Sequence, residues 1–129
     1  MKFLNTFAML AVLATSKAQE EEAASMCGPA DGSISIAGSS TVLPVAEAWA
    51  EAYMEMCPDV TVTVESGGSS VGAGRVCDNP DRGEAVDIGN MSRDWKTSEA
   101  SRDGYSLQCL VGDTDREVIQ LDVSGDRYL

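Results

Sequence analysis

Histidine is absent from this sequence and basic residues are few, with nine Lys and Arg against 21 Asp and Glu. Without histidine the chain has no Ser-His-Asp or Cys-His nucleophile pair and no histidine ligand for zinc. The formal charge of -12 excludes nucleic-acid binding, because neutralising a phosphate backbone requires clustered Lys and Arg. Hydrophobic residues make up 43% and charged residues 23% of the chain, so the 129 residues form one globular domain.

The first residues have the pattern of an export signal. A basic start at Lys2 precedes an apolar run over residues 3–14, and small residues follow at Ser16 and Ala18. We predict a signal peptide over residues 1–18 and a secreted protein, extracellular or periplasmic. The apolar run is shorter than the roughly 20 residues of a spanning helix, so we expect no membrane insertion after signal cleavage. Residues 19–32 are predicted to be an acidic mobile N-terminus.

The four cysteines are Cys27, Cys57, Cys77 and Cys109. An even number in an exported protein indicates disulfides, and four cysteines allow three pairings. No two cysteines are spaced as C-x-x-C, which disfavours a metal site and a thioredoxin-like redox centre. We therefore predict structural disulfides, no metal and no cofactor, and the pairing stays open.

Three strands of a parallel sheet are predicted from short apolar segments. Alternation of apolar and polar residues predicts strands at residues 33–37 and 60–64, and a third follows at residues 85–89. Two further apolar segments, residues 107–111 and 118–123, are candidate strands. Each of the first three strands ends in a polar turn.

Helices are predicted between these strands. Apolar residues at spacings of three and four predict a helix over residues 42–56, with Val45 and Trp49 on its apolar face. A weaker helix is predicted over residues 71–77, because its glycines disfavour helix formation. The repeated order of strand, turn and helix predicts an α/β fold with a parallel sheet, whose turns share one edge.

The polar turns carry hydroxyl groups that are suited to an oxyanion. Helix N-termini add backbone N–H donors, and a guanidinium can hold two oxygens at once. The candidate ligands are Ser39, Ser40, Thr41, Ser69, Ser70, Ser92 and Arg93. The alternative interpretation is that each hydroxyl only caps the helix that follows it.

Two motifs suggest other chemistry and are set aside. Residues 68–72 match G-x-S-x-G between a strand and a helix, which would make Ser70 a hydrolase nucleophile. The chain has no histidine to act as its base, so we do not predict an enzyme. A G-x-G-x-x-G pattern that begins at Gly72 fails at Cys77, which excludes a dinucleotide site.

Three motifs together resemble a known family. They are IAGSSTVLP at residues 36–44, ESGGSSVG at 65–72 and VDIGNMSR at 86–93. In this order they resemble the PstS-type phosphate-binding proteins of the periplasmic-binding-protein superfamily. The resemblance implies a hinged, two-lobed α/β protein that closes over inorganic phosphate and passes it to a membrane transporter of the ABC type.

The resemblance also implies how the chain is organised and which residues bind. Residues 33–129 would be a partial phosphate-binding domain, an incomplete type II lobe with the second lobe missing. The turns would contribute Ser40 and Thr41, then Ser69 and Ser70, then Ser92 with Arg93. In some members an Asp accepts the proton of hydrogen phosphate, and the possible acceptors here are Asp87 and Asp94.

The sequence is compatible with two functions. The first is a secreted protein that binds inorganic phosphate through hydroxyl-rich turns without catalysis. The alternative is a secreted, disulfide-braced α/β module without a small-molecule ligand, which acts in protein interaction or is a non-functional fragment. A phosphatase is disfavoured, because the sequence offers neither a base nor a metal cluster.

Overall fold

The computed structural model describes Cys27 and residues 32–123. The predicted signal peptide at residues 1–18 lies outside the described residues, as does most of the predicted acidic N-terminus. No helix in the described part is long and apolar enough to cross a membrane. Its elements are β1 (Gly32–Gly38), α1 (Leu43–Met56), β2 (Val60–Ser66), α2 (Ser69–Val76), a 3₁₀ turn (Pro80–Arg82), β3 (Ile88–Asn90), β4 (Ala100–Asp103), β5 (Ser106–Cys109) and β6 (Glu117–Ile119).

The parallel sheet of the predicted α/β fold is confirmed. β1 lies between β2 and β3, and both neighbours run parallel to it. At the carboxyl end of the sheet, Gly38 of β1 is level with Ser66 of β2 and with Asn90 of β3. The turns that follow the three strands therefore start at one edge.

Two boundaries differ from the sequence prediction. β3 starts at Ile88 rather than at residue 85, because the backbone N–H of Val86 donates to the carbonyl oxygen of Arg75 in α2 at 3.2 Å. α2 starts at Ser69, two residues before the predicted start. Ser69 and Ser70 therefore form the first turn of a helix at the carboxyl edge of the sheet.

The buried face of α1 is narrower than the sequence indicated. Ala46 and Ala50 are buried, and Tyr53 packs against a core cluster that includes Ala50. Val45 and Trp49 are exposed, so their predicted place on the buried face was wrong. The physical reason is side-chain size. The small side chains of Ala46 and Ala50 let α1 approach the sheet closely on the helix face that carries them.

A second, antiparallel sheet in the order β4-β5-β6 follows the parallel one. The candidate strands at residues 107–111 and 118–123 correspond to β5 and β6, each shorter than predicted. β4 was not predicted, because only Ala100 of its four residues is buried and the other three are polar and exposed. An edge strand of this kind has no apolar alternation to reveal it.

Both disulfides join helix ends to other parts of the fold. The bridges are Cys27–Cys57 and Cys77–Cys109, which confirms the prediction of structural disulfides and closes the choice among pairings. Cys57 follows α1 and Cys77 follows α2, at the helix ends away from the hydroxyl-rich turns. The second bridge connects α2 to β5 inside the core, where both of its cysteines are fully buried.

α2 lies close against the parallel sheet at Gly72. A Cβ atom at this position would be 2.7 Å from the carbonyl oxygen of Asn90 and 2.9 Å from that of Ala37. Glycine therefore allows the helix to touch β1 and β3 together. This contact fixes the first turn of α2 over the carboxyl edge of the sheet.

Candidate anion-binding site

Hydroxyl groups from all three turns meet at the carboxyl edge of the parallel sheet. The Ser39 hydroxyl donates to the Ser92 hydroxyl oxygen at 2.9 Å, and the hydroxyl oxygens of Ser69 and Ser92 are 3.3 Å apart. The backbone N–H of Ser92 donates to the Ser69 hydroxyl oxygen at 3.2 Å. We call Ser39, Ser69, Ser70 and Ser92 the hydroxyl cluster.

The hydroxyl groups of these turns do not cap the helices. The N-cap residues are Val42 for α1 and Gly68 for α2, and neither helix has a side-chain hydrogen bond at its cap. In the first turn, the backbone N–H of Thr41 donates to the Ser39 hydroxyl oxygen at 3.3 Å. The capping interpretation is therefore wrong for α1 and α2. The first N–H groups of α1 are already in use, because Leu43 donates to the carbonyl oxygen of Ser39 and Val45 to that of Val42, both at 3.0 Å. Among the described residues, the N–H groups of Ser69 and Ser70 at the start of α2 have no acceptor and can serve an anion.

The predicted ligands differ in their exposure. Ser40, Thr41 and Ser92 are exposed, and Ser69 and Ser70 are half-buried. Ser39 is buried at 3% exposure, and its backbone N–H donates to the carbonyl oxygen of Asn90 at 3.1 Å. Ser39 therefore connects the end of β1 to the third turn, and the other five residues present hydroxyl groups that solvent reaches.

Arg93 lies beside the cluster and is paired with Glu99. Its Nη2 donates to Glu99 Oε1 at 2.8 Å and to the Ser70 hydroxyl oxygen at 3.0 Å. Its Nη1 donates to Glu99 Oε2 at 2.9 Å and to the carbonyl oxygen of Asp94 at 2.8 Å. Glu99 Oε2 also accepts the backbone N–H of Lys96 at 3.0 Å. The only cation among the predicted ligands thus has a carboxylate partner of its own.

This ion pair is charged on both sides at neutral pH. Hydrogen bonds from Arg93 hold the pKa of Glu99 below its ordinary value, against the opposing effect of burial. The hydrogen bonds to Glu99 in turn raise the pKa of Arg93. The pair donates one hydrogen bond to Ser70 and adds no net charge to the site.

The two possible acceptors, Asp87 and Asp94, have hydrogen-bond partners of their own. Asp87 Oδ2 accepts the backbone N–H of Ser35 at 2.8 Å and its hydroxyl at 2.7 Å, and these bonds lower the pKa of Asp87. Asp94 Oδ1 accepts from Arg102 at 3.0 Å and from the backbone N–H of Trp95 at 2.9 Å. Both carboxylates thus have hydrogen-bond partners outside the hydroxyl cluster.

Sequence reasoning missed two residues at this site. Asn90 ends β3, and both polar atoms of its side chain are buried without a hydrogen-bond partner in the described part of the chain. Its place inside the third motif was the signal that could have found it. Glu99 lies six residues after Arg93 in a polar segment without a pattern, so no sequence signal marked it. Within the described ranges, no cluster of Cys, Asp and Glu could hold a metal ion.

The ion pair makes stability depend on pH. The folded-state pKa of Glu99 is lowered, so the ionised carboxylate stabilises the fold above an unfolded-state pKa of about 4.3. That contribution is lost as the pH falls through the lowered folded-state pKa. Lowering the pH from about 6 to about 3 should therefore reduce the free energy of unfolding of the wild type more than that of the Glu99→Gln variant. Urea unfolding at both pH values measures this difference, and equal losses would contradict it.

Comparisons with known proteins agree with the motifs. A family model described as a PBP superfamily domain matches residues 15–124. Phosphate-binding protein PstS from Bacillus subtilis is 35% identical over 96 residues, which cover 74% of this chain and 29% of that protein. Phosphate-binding protein PstS 2 from Streptococcus pneumoniae is 37% identical over 81 residues, which cover 63% of this chain and 26% of that protein.

One solved structure is also similar. It is the crystal structure of the phosphate-binding protein of a phosphate ABC transporter from Streptococcus pneumoniae, with a TM-score of 0.45 and 35% identity over 53% of this chain and 24% of that one. The chain spans less than a third of the length of the curated relatives that it matches. The family model covers most of the chain and all three hydroxyl-rich turns. The chain therefore belongs to the PBP superfamily and carries a partial domain of the PstS type.

Proposed function

We propose that this protein is a secreted phosphate-binding protein that holds inorganic phosphate at the hydroxyl cluster without catalysis. The observation that carries the proposal is the convergence of hydroxyl groups from three turns at one sheet edge, where the Ser92 hydroxyl oxygen lies 2.9 Å from that of Ser39 and 3.3 Å from that of Ser69. The relatives named phosphate-binding proteins support the choice of ligand. An open α/β sheet binds its ligands at this edge.

In this proposal phosphate oxygens accept hydrogen bonds from the exposed and half-buried hydroxyl groups. The residues that would contact the anion are Ser40, Thr41, Ser69, Ser70 and Ser92. The first backbone N–H groups of α2 add donors and a partial positive charge. Ser39 is the buried member of the cluster and donates a hydrogen bond to the Ser92 hydroxyl oxygen. Arg93 is the cation of the site, and it acts there through its hydrogen bond to Ser70.

Secretion and delivery to a transporter belong to the same proposal. Two disulfides in the described part of the chain support an oxidising compartment. The partner in this proposal is a membrane transporter of the ABC type, as the resemblance of the three motifs to the PstS type implies. The negative charge of the chain is compatible with an anionic ligand, because fields of exposed charges are screened over about 8 Å in physiological salt.

Ser70→Ala is expected to weaken phosphate binding about 10- to 100-fold, because it removes a hydroxyl donor to a charged ligand. Isothermal titration calorimetry of the full chain measures the dissociation constant. The matched control is Ser33→Ala, since Ser33 is an exposed serine at the opposite end of β1. Equal affinity in both variants, or no phosphate binding by the wild type, would overturn the proposal.

A further inference from the structure

The guanidinium of Arg93 has no terminal hydrogen left for a ligand in the described structure. A guanidinium carries four hydrogens on its two Nη atoms. Glu99 accepts two of them, one on each carboxylate oxygen, at 2.8 and 2.9 Å. The carbonyl oxygen of Asp94 accepts a third at 2.8 Å and the Ser70 hydroxyl oxygen the fourth at 3.0 Å. An end-on bidentate contact of both Nη atoms with an anion would therefore require Glu99 to release Arg93, and a side-on contact through Nε and Nη2 would require Nη2 to give up its hydrogen bond to Ser70.

Glu99 is itself held in place. Its side chain is only 11% exposed, and Lys96 donates a backbone N–H to Oε2 at 3.0 Å. The planar carboxylate and guanidinium face each other through two parallel hydrogen bonds, the strongest geometry for such a pair. Breaking a largely buried ion pair leaves an uncompensated buried charge. This costs more free energy than breaking an exposed pair. The pair therefore stays closed when an anion arrives.

We propose that Glu99 is a positioning residue that fixes Arg93, so that the guanidinium acts on the bound anion through the Ser70 hydroxyl and not by direct contact. This inference rests on the proposed phosphate-binding function. Because Ser70 accepts a hydrogen from Arg93, its own hydroxyl hydrogen points away from the guanidinium and is available to a phosphate oxygen. A hydroxyl that accepts a hydrogen bond from a cation is also a stronger donor.

The proposal predicts that Arg93, Glu99 and Ser70 act as one unit in binding. Removing the ion pair should weaken phosphate binding only while the Ser70 hydroxyl is present. If Arg93 contacted phosphate directly, removal of the ion pair would reduce the binding free energy by the same amount with and without the Ser70 hydroxyl. Non-additivity of this kind separates an indirect role from a direct one, and a purely structural role would not produce it.

The test is a double-mutant cycle on the full chain, with phosphate affinity measured by calorimetry. The four proteins are the wild type, S70A, R93M/E99M and the triple variant R93M/E99M/S70A. Methionine replaces both charged residues, because apolar replacement of a whole buried pair preserves stability better than removal of one partner. Urea unfolding checks that each variant folds. If R93M/E99M does not fold, E99Q takes its place in the same cycle, since it keeps the shape of the side chain.

We expect R93M/E99M to weaken phosphate binding about tenfold in the wild-type background and less than about twofold in the S70A background. E99Q should show the same dependence on Ser70. A tenfold loss in both backgrounds would overturn the inference and leave the proposed function standing, because Arg93 would then contact phosphate directly. Absence of phosphate binding by the wild type would overturn both.

Discussion

Replacing Cys77 and Cys109 by alanine is expected to lower the free energy of unfolding by about 4 kcal/mol. The bridge closes a loop with a sequence separation of 32 residues, which restricts the unfolded chain. Both cysteines are fully buried and share a core cluster with Val76 and Val86, so their removal also leaves unfilled space. A loss of this size is a large fraction of the 5 to 15 kcal/mol that stabilises a typical domain.

The other disulfide is the matched control for this prediction. Cys27–Cys57 closes a loop of nearly the same length, with a separation of 30 residues, so the chain-entropy contribution is nearly equal. Cys27 is only half-buried, so less packing is lost when that bridge is removed. We expect C27A/C57A to be less destabilising than C77A/C109A in urea unfolding. Equal losses would show that the buried sulfurs contribute nothing beyond loop closure.

The parallel sheet and its turns could be predicted because their signals are local. Alternating apolar residues around Ile34 and Val62 mark strands, and the glycine and serine residues after them mark turns. Once the strands are parallel, geometry alone brings Ser39, Ser69 and Ser92 to one edge. Convergence of the turns therefore needed no knowledge of side-chain packing.

The remaining features depend on contacts that no local pattern encodes. Glu99 takes its role from meeting Arg93 in space, and the segment between them has no regular element. Asp87 and Asp94 were plausible acceptors by position, but partners at Ser35 and Arg102 determine where their carboxylates lie. Sequence patterns therefore predicted that the turns converge, and tertiary contacts determine the hydrogen-bond partners of the charged groups.

Few cations are needed at such a site. Arg93 beside the hydroxyl cluster is paired with Glu99, which balances its charge. Recognition would therefore rely on hydroxyl and backbone N–H donors at hydrogen-bond distance. Donors of this kind act over a few ångströms, whereas the field of the acidic surface is screened over about 8 Å in physiological salt. A strongly acidic chain and an anionic ligand are therefore physically compatible.

Gly72→Ala is expected to destabilise the protein by about 2 kcal/mol, although the same change inside an exposed helix stabilises by about 1 kcal/mol. The added Cβ would lie 2.7 Å from the carbonyl oxygen of Asn90 and 2.9 Å from that of Ala37. Both obstacles are backbone atoms of paired strands, so neither can rotate away. The helix must move off the sheet, and overpacking outweighs the gain in helix propensity.

The displacement would also reach the candidate site, because Gly72 lies three residues after Ser69 in the same short helix. Moving α2 lengthens the contact between the hydroxyl oxygens of Ser69 and Ser92, so phosphate affinity and stability should fall together. Gly32→Ala is the control, since a Cβ at that strand position has no atom within 4 Å, and its unfolding free energy should change by less than about 0.5 kcal/mol. Thermal and urea unfolding measure both variants. A stabilised Gly72→Ala protein would show that helix propensity prevails and that α2 does not pack this closely on the sheet.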